Sequence, residues 1–218
     1  TTIGDNAFSC CDSLTTVTIP NSVITIGDEA FFGCGNLTNI TIPDSVTIIG
    51  SSAFNNCTSL TSVTIPNSVT TIGDDAFYCC INLESVTIGN SVTTIGDEAF
   101  AYCYNITRVT TGDSVTKNRD YSFHSCTSIT SVIIPNSVTT IGSIAFKDCT
   151  NLKRVIIPDS VTYIDDYAFV NCKMLNDIIL PNSITTILPA TFASCENLSN
   201  VTIPNSVTNI GAHSFEYC

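Results

Sequence analysis

The chain has 218 residues, of which 7 are basic and 19 acidic, so its net charge at neutral pH is −12. A phosphate-binding face needs clustered Lys and Arg, so a nucleic-acid partner is not expected, and anionic membrane surfaces are disfavoured for the same reason. No apolar run approaches the roughly 18 residues that a membrane span needs, so no membrane insertion is expected within this segment. Only 12% of the residues are charged, but 44% are apolar, which is not a disordered composition.

A short motif, Ile-Gly-x-x-Ala-Phe, recurs with small changes along the whole chain. Its Phe returns every 23 residues without insertion or deletion, at Phe8, Phe31, Phe54, Phe77, Phe100, Phe123, Phe146, Phe169, Phe192 and Phe215. A fixed period of this size is the sequence signature of a solenoid, in which each unit packs only on its neighbours. We therefore predict one solenoid domain over residues 1–218, and 218/23 gives about nine and a half repeats.

Both ends of the chain fall inside a repeat. Thr1 and Cys218 lie in mid-repeat, and neither end carries the atypical polar unit that usually caps a solenoid. We expect an uncapped fragment of a longer array. A signal peptide, a membrane anchor or a cap would then lie outside this segment.

Each repeat is predicted to contain a strand, a corner, a second strand and a turn. Residues 60–65 (Leu-x-x-Val-x-Ile) place β-branched side chains on one face, which is typical of a strand. Pro66 ends this strand because proline cannot donate to a ladder, and residues 67–68 (Asn-Ser) form the corner. Residues 69–72 (Val-x-x-Ile) predict a second, shorter strand. Residues 73–79 (Gly-Asp-Asp-Ala-Phe-Tyr-Cys) predict a bend at Gly and a single helical or 3₁₀ turn.

The same eight positions of every repeat are expected to fill the interior. In this unit they are Leu60, Val63, Ile65, Val69, Ile72, Ala76, Phe77 and Cys80. Ten of the twelve cysteines share the Cys80 position, and in-register stacking would place their Cβ atoms about 4.8 Å apart. A disulfide prefers a Cβ separation of about 3.8 Å, so we expect buried thiols there. Cys10 and Cys79 lie outside this position and are expected to be more exposed.

The full pattern, Leu-x-x-Val-x-Ile-Pro-x-Ser-Val-x-x-Ile-Gly-x-x-Ala-Phe-x-x-Cys, resembles the BspA-type leucine-rich repeat over the whole chain. The resemblance implies a right-handed leucine-rich repeat coil with a parallel sheet on its concave face, formed by the Leu-x-x-Val-x-Ile segments. Members are typically surface or secreted proteins of bacteria and of parasitic or commensal protists, and some are adhesins for host matrix proteins. The resemblance thus implies an extracellular or cell-surface location and a protein partner, such as a host matrix or surface protein.

Two places break the repeat. Near the middle of the chain, Thr111, Asn118 and Arg119 stand where other repeats have the strand Ile, the core Ile and the turn Gly, and later Leu188 replaces a turn Gly. One interpretation is drift, which a modular stack tolerates. The other is a local bulge that presents Lys117 and Arg119.

Acidic residues cluster after the turn Gly, at Asp5, Asp28-Glu29, Asp74-Asp75, Asp97-Glu98, Asp120 and Asp165-Asp166. Stacked carboxylates can bind Ca²⁺, which takes six to eight oxygen ligands. Acids are also favoured at the start of a helical turn, where they cap the backbone. We favour capping, since Ser51, Ser143 and Pro189 interrupt the row, and no metal or cofactor is expected.

The outward positions of the concave strands differ between the two halves of the chain. In the N-terminal half they are almost entirely Ser, Thr or Asn, whereas the C-terminal half carries Ile at three successive strands beside charged residues. Exposed apolar patches with a charged rim are candidate interfaces. We therefore predict a ligand-binding surface at Ile133, Ile156, Ile179, Arg108, Arg154 and Asp177. The alternative is that Ile occurs there for its strand propensity and cross-strand pairing.

Signals for catalysis are weak. His124 and His213 occupy different repeat positions, and no phosphate loop, nucleophile elbow or metal-ligand spacing occurs. The predicted function is a non-enzymatic protein-binding or adhesion module. The alternatives are a structural spacer without its own ligand and an intracellular scaffold.

Overall fold

The computed structural model describes residues 1–218 as a coil of nineteen short strands without a helix. Each full repeat contributes one strand to each of two parallel ladders, and consecutive turns close the remaining side. No helix with the length and apolar character needed to cross a bilayer is present.

The strands alternate between the two ladders along the chain. In chain order they are β1 (Thr2–Ile3), β2 (Thr16–Thr18), β3 (Thr25–Ile26), β4 (Asn39–Thr41), β5 (Ile48–Ile49), β6 (Ser62–Ile65), β7 (Thr71–Ile72), β8 (Ser85–Ile88), β9 (Thr94–Ile95), β10 (Arg108–Thr110), β11 (Lys117–Asn118), β12 (Ser131–Ile133), β13 (Thr140–Ile141), β14 (Arg154–Ile156), β15 (Tyr163–Ile164), β16 (Asp177–Ile179), β17 (Thr186–Ile187), β18 (Asn200–Thr202) and β19 (Asn209–Ile210). The even-numbered strands form the first ladder and the odd-numbered strands the second.

All strand pairs are parallel and join residues that are 23 positions apart. Val63 on β6 pairs with Val86 on β8, and Ile72 on β7 pairs with Ile95 on β9. The sequence period is therefore also the structural period, and the predicted leucine-rich repeat solenoid is confirmed. Within β6 the outward Ser62 is exposed while Val63 is buried, as the alternation of a strand requires.

The predicted interior is also confirmed. All eight core positions of the unit that begins at Leu60 are at most 2% exposed. The ten Phe rings form one continuous stack, with neighbouring ring centroids 5.0 to 5.6 Å apart and interplanar angles of 2 to 11°. These separations exceed the roughly 4.7–4.9 Å between neighbouring strands. The Phe stack thus lies on the longer, convex side of the coil, and the even ladder lies on the concave side.

The segment around each Phe differs in detail from the expected helical turn. It forms consecutive turns with a left-handed residue two positions before and two positions after the Phe, such as Asp75 (φ 56°) and Cys79 (φ 55°). The N–H groups of Asp75, Phe77 and Cys79 donate to carbonyl oxygens of the following repeat at 2.8 to 3.0 Å, while Tyr78 N–H donates within the turn. Three N–H groups of each such turn except the last are therefore used to join repeats.

The cysteine ladder consists of free thiols. All twelve cysteines are unpaired, eight of them are buried, and Cys10 is exposed while Cys79 is partly buried. Each thiol in the ladder after Cys11 donates to the Phe carbonyl oxygen 26 residues earlier, as Cys103 does to Phe77 at 3.2 Å. Burial raises the pKa of Cys149 to about 12. The expectation of buried thiols is confirmed, and these thiols also contribute to the joint between repeats.

Replacing a stacked Phe should destabilise the coil far more than replacing its neighbour. Phe31 is fully buried between the rings of Phe8 and Phe54, whereas Phe32 is only partly buried. Phe31→Ala should lower the free energy of unfolding by about 3–5 kcal/mol, because it leaves a cavity. Phe32→Ala should cost less than half as much. Urea denaturation followed by circular dichroism measures both, and equal losses would contradict the stack as the main support.

Stability should fall at alkaline pH because the buried thiols resist ionisation. The pKa of Cys103 lies well above its ordinary value of 9.0 in the folded protein, chiefly through burial. Above pH 9 the unfolded chain binds fewer protons than the native one, so unfolding becomes easier by about 1.4 kcal/mol per pH unit for each such thiol. Tyr and Lys also titrate in this range. Comparing Cys103→Ala with the wild type by urea denaturation at pH 8 and 10 isolates the thiol, and an unchanged slope would contradict this origin.

Candidate functional site

Three predicted isoleucines lie side by side on the concave face. Ile133 on β12, Ile156 on β14 and Ile179 on β16 are in register across neighbouring strands. Their side chains are 71%, 42% and 70% exposed, and the middle one is less exposed because it has an isoleucine on each side. The inward residue that precedes each isoleucine on its strand is buried at Val155 and Ile178 and partly buried at Val132. These three exposed side chains are called the isoleucine patch below.

Charged residues without ion-pair partners adjoin the isoleucine patch. Arg154 on β14 lies opposite Asp177 on β16. Neither takes part in any of the four ion pairs of the structure, which join Arg119 to Asp97, His124 to Asp148, Lys173 to Glu196 and His213 to Glu216. A shallow depression of about 300 Å³ is lined by Arg154, Ile156, Asp177 and Ile179. Both charged groups are exposed and can contact a second molecule.

Arg108 is separated from the other predicted site residues by a break in the even ladder. That ladder consists of three sheets, β2-β4, β6-β8-β10 and β12-β14-β16-β18. Arg108 lies on β10, the last strand of the second sheet, whereas Ile133 lies on β12, the first strand of the third. The structure therefore brings five predicted residues onto one sheet and places Arg108 across the gap. Like Arg154, Arg108 has no ion-pair partner.

The predicted bulge near Lys117 is absent. Strand β11, which contains Lys117 and Asn118, pairs in the regular register with β9 and β13. Arg119 Nη1 lies 3.8 Å from Asp97 Oδ2 of the preceding repeat. The bulge interpretation is therefore wrong. The effect of the irregular residues is seen in the even ladder instead, because Thr111 and Asn118 fill less of the core beneath its strands than Ile would.

An apolar cleft lies beneath the break between β10 and β12. It has a volume of about 30 Å³, and ten of its thirteen lining residues are hydrophobic. Thr111 and Asn118 line it where regular repeats have buried Ile, as at Ile88 and Ile95. This cleft was not predicted from the sequence, although the two substitutions that create it were visible there.

The cleft and the isoleucine patch also coincide with the basic part of the chain. All seven Lys and Arg residues fall between Arg108 and Lys173, and residues 1–107 contain ten acidic residues and no basic one. The concave face of that acidic half is a polar depression lined by Ser, Thr and Asn side chains, such as Ser62 and Thr87. This uneven distribution of basic residues is a second sequence signal for the candidate site, independent of the repeat positions.

Five of the acidic residues after the turn Gly accept backbone hydrogen bonds: Asp5, Asp28, Asp74, Asp120 and Asp165. Asp28 Oδ1 accepts the N–H of Ser51 at 2.8 Å, and Asp74 Oδ1 accepts the N–H of Asp97 at 2.8 Å, each one repeat further on. Burial, followed by the charge of Asp74, raises the pKa of the Asp97 carboxyl. The Asp28 and Asp74 carboxylates therefore bind backbone N–H groups, as the capping interpretation expects, but those groups belong to the next repeat and not to a helical turn of their own. No group of three or more His, Cys, Asp or Glu is placed to hold a metal ion.

A match to a known protein family identifies the relatives of this chain. The sequence model of the BspA type leucine rich repeat region matches residues 1–130 and 119–218, with six copies. The chain belongs to the BspA-type leucine-rich repeat family. No functionally curated protein shows significant sequence similarity to it.

Solved structures with the same coil include several bacterial proteins. A leucine-rich cell surface protein from Faecalibacterium prausnitzii A2-165 is 31% identical over 99% of this chain and 74% of its own, with a TM-score of 0.56. A leucine-rich repeat protein from T. pallidum is 25% identical over 90% of this chain and 76% of its own, with a TM-score of 0.58. One from Eubacterium ventriosum ATCC 27560, 24% identical over 100% and 80% with a TM-score of 0.56, shares the fold.

A charge introduced at two neighbouring isoleucines of this BspA-type coil should change the free energy of unfolding by very different amounts. Ile179 is 70% exposed and Ile178 is 1% exposed on the same strand. Ile179→Asp should change the free energy of unfolding by less than about 1 kcal/mol, while Ile178→Asp should cost more than about 4 kcal/mol because it buries an unpaired carboxylate. Urea denaturation compares the two variants. Similar losses would show that the isoleucine patch belongs to the core.

Proposed function

We propose that this chain is a non-enzymatic, protein-binding module of a cell-surface or secreted protein. The observation that carries the proposal is the isoleucine patch, three exposed aliphatic side chains in register on a concave sheet. An exposed apolar patch rimmed by charges is typical of an interface. The family and the Faecalibacterium prausnitzii cell surface protein support the location.

The patch provides apolar area on a rigid support. Burying an aliphatic side chain completely contributes about 1.5–3 kcal/mol relative to leaving it exposed. The three isoleucines lie on strands that are already hydrogen-bonded to one another, and β-branched side chains have few rotamers to lose. Little ordering is then needed on binding, so more of this free energy is expressed as affinity.

Unpaired cations indicate the charge of the partner. Arg108, Lys153 and Arg154 are exposed beside the patch and form no ion pair, although the chain as a whole carries a charge of −12. Charge complementarity mainly steers association and selects partners. An acidic protein surface therefore fits this face better than a basic one, with Asp177 accepting a donor at its edge.

A structural spacer is the second candidate for part of the chain. The repeats before Arg108 present nearly uniform Ser, Thr and Asn side chains on the concave face. A uniform polar surface suits a segment that only separates other parts of a protein. The two roles are distinguished by the full-length architecture, since a spacer lies between an anchor and a separate binding head.

Binding to purified extracellular-matrix proteins tests the proposed function. The test uses the triple variant Ile133→Thr, Ile156→Thr, Ile179→Thr. It places Thr at the repeat position where the N-terminal half already has Thr, as at Thr64 and Thr87. We expect it to remain folded and to lose at least tenfold in affinity, about 1.4 kcal/mol, for any matrix protein that the wild type binds. Surface plasmon resonance gives the constants, and Thr64→Ser with Thr87→Ser is the matched control. Undiminished binding by the triple variant would falsify the assignment of the patch.

A further inference from the structure

The break in the even ladder opens the cleft on one side of the coil only. Strands β10 and β12 are unpaired with each other, whereas the odd ladder runs through the same level from β9 to β11 and β13. The Phe stack is also continuous there, with centroid separations of 5.4 Å from Phe100 to Phe123 and 5.6 Å from Phe123 to Phe146. The opening is therefore a wedge that is closed at the Phe stack and faces the concave surface beside Ile133.

A buried amide with an unused donor lines this wedge. Asn118 is 5% exposed, and its Oδ1 accepts a hydrogen bond from Ser122 Oγ at 2.6 Å. Its Nδ2 makes no hydrogen bond within the protein and is not among the side-chain atoms that are buried without a partner, so it is accessible from the cleft. Regular repeats place a buried Ile at this position, as at Ile95 and Ile141. An accessible amide donor can bind an acceptor that enters the cleft. This donor is therefore available to a second molecule.

The dimensions and lining of the cleft limit what can enter. A volume of about 30 Å³ is two to three times the 10–15 Å³ or so that one water requires, which suits a group of about three non-hydrogen atoms. Val109, Val132 and Ile134 form aliphatic walls. A group with a methyl for these walls and an oxygen for Asn118 has the composition of a threonine side chain. Its hydroxyl can accept from Nδ2 and donate to the remaining lone pair of Oδ1.

We propose that this cleft is an anchor site for one threonine side chain in an acidic segment of the protein partner. The proposal rests on the proposed function, because the cleft opens beside the isoleucine patch. Arg108 on β10 and Arg154 on β14 lie on either side of the mouth and lack ion-pair partners, so acidic residues flanking the threonine are complementary. The isoleucines supply the area around the anchor, and the cleft supplies selectivity for a hydroxyl-bearing side chain.

Four synthetic peptides test the anchor directly. Each is acetylated, amidated and seven residues long, with a central residue flanked by two glutamates on each side and a glycine at each end. The centre is threonine, valine or glycine, and the fourth peptide has threonine flanked by lysines. Each peptide is titrated into the protein, and the side-chain amide signals of Asn118 are followed by ¹⁵N NMR. The acidic threonine peptide should shift these signals with a dissociation constant at least tenfold lower than that of any of the other three peptides. Equal binding of the valine peptide, or no shift of the Asn118 amide, overturns the proposal.

A variant that fills the cleft provides the matched control. Thr111→Ile with Asn118→Ile restores the residues of regular repeats, such as Ile88 and Ile95, and should raise the urea midpoint while abolishing the preference for threonine over valine. A filled variant that keeps this preference overturns the cleft as its origin. If the filled variant binds a matrix protein like the wild type while the triple Thr variant does not, the patch stands and the anchor fails. If only the filled variant loses binding, the patch fails and the anchor stands.

Discussion

Hydrogen bonds from each repeat to the next are the constraint on which this structure depends. Strand pairing, the N–H groups of the turns, the Asp carboxylates and the cysteine thiols all connect residues 22 to 26 positions apart. A repeat of any other length would misplace all of these contacts together. The uninterrupted 23-residue spacing of Phe8 to Phe215 follows from that requirement, since one inserted residue would shift every inward side chain.

Regular stacking also explains why the proposed binding surface is confined to a few repeats. Many positions are committed to the core or to the joints between repeats, whereas the outward residues of the even strands are free of both tasks. In the repeats from Arg108 to Asp177 this freedom produces aliphatic exposure and unpaired cations, whereas Thr64 and its equivalents remain polar. The scaffold thus presents a chemically distinct band on an otherwise uniform concave surface.

The fold was predictable because periodicity determines which residues face each other. The exposure of Ile133 followed from strand alternation, and the burial of Leu60, Phe77 and Cys80 followed from their fixed positions in the repeat. The turn conformation did not, because local sequence favours a helical turn while the neighbouring repeat takes up the N–H groups. The cleft could not be predicted for a related reason. Thr111 and Asn118 were recognisable as exceptions to the repeat, but whether the stack bulges or opens there depends on packing across several repeats.

The turns have an electrical consequence for the coil. In every turn except the last, three N–H groups, such as those of Asp75, Phe77 and Cys79, point toward the following repeat and meet carbonyl groups that point back. Peptide dipoles aligned in this way add, as they do along a helix axis. The convex side therefore carries a longitudinal dipole whose positive direction follows the chain. Along that side, the electrostatic energy of a surface charge depends on whether it lies nearer the N-terminal or the C-terminal end of the coil.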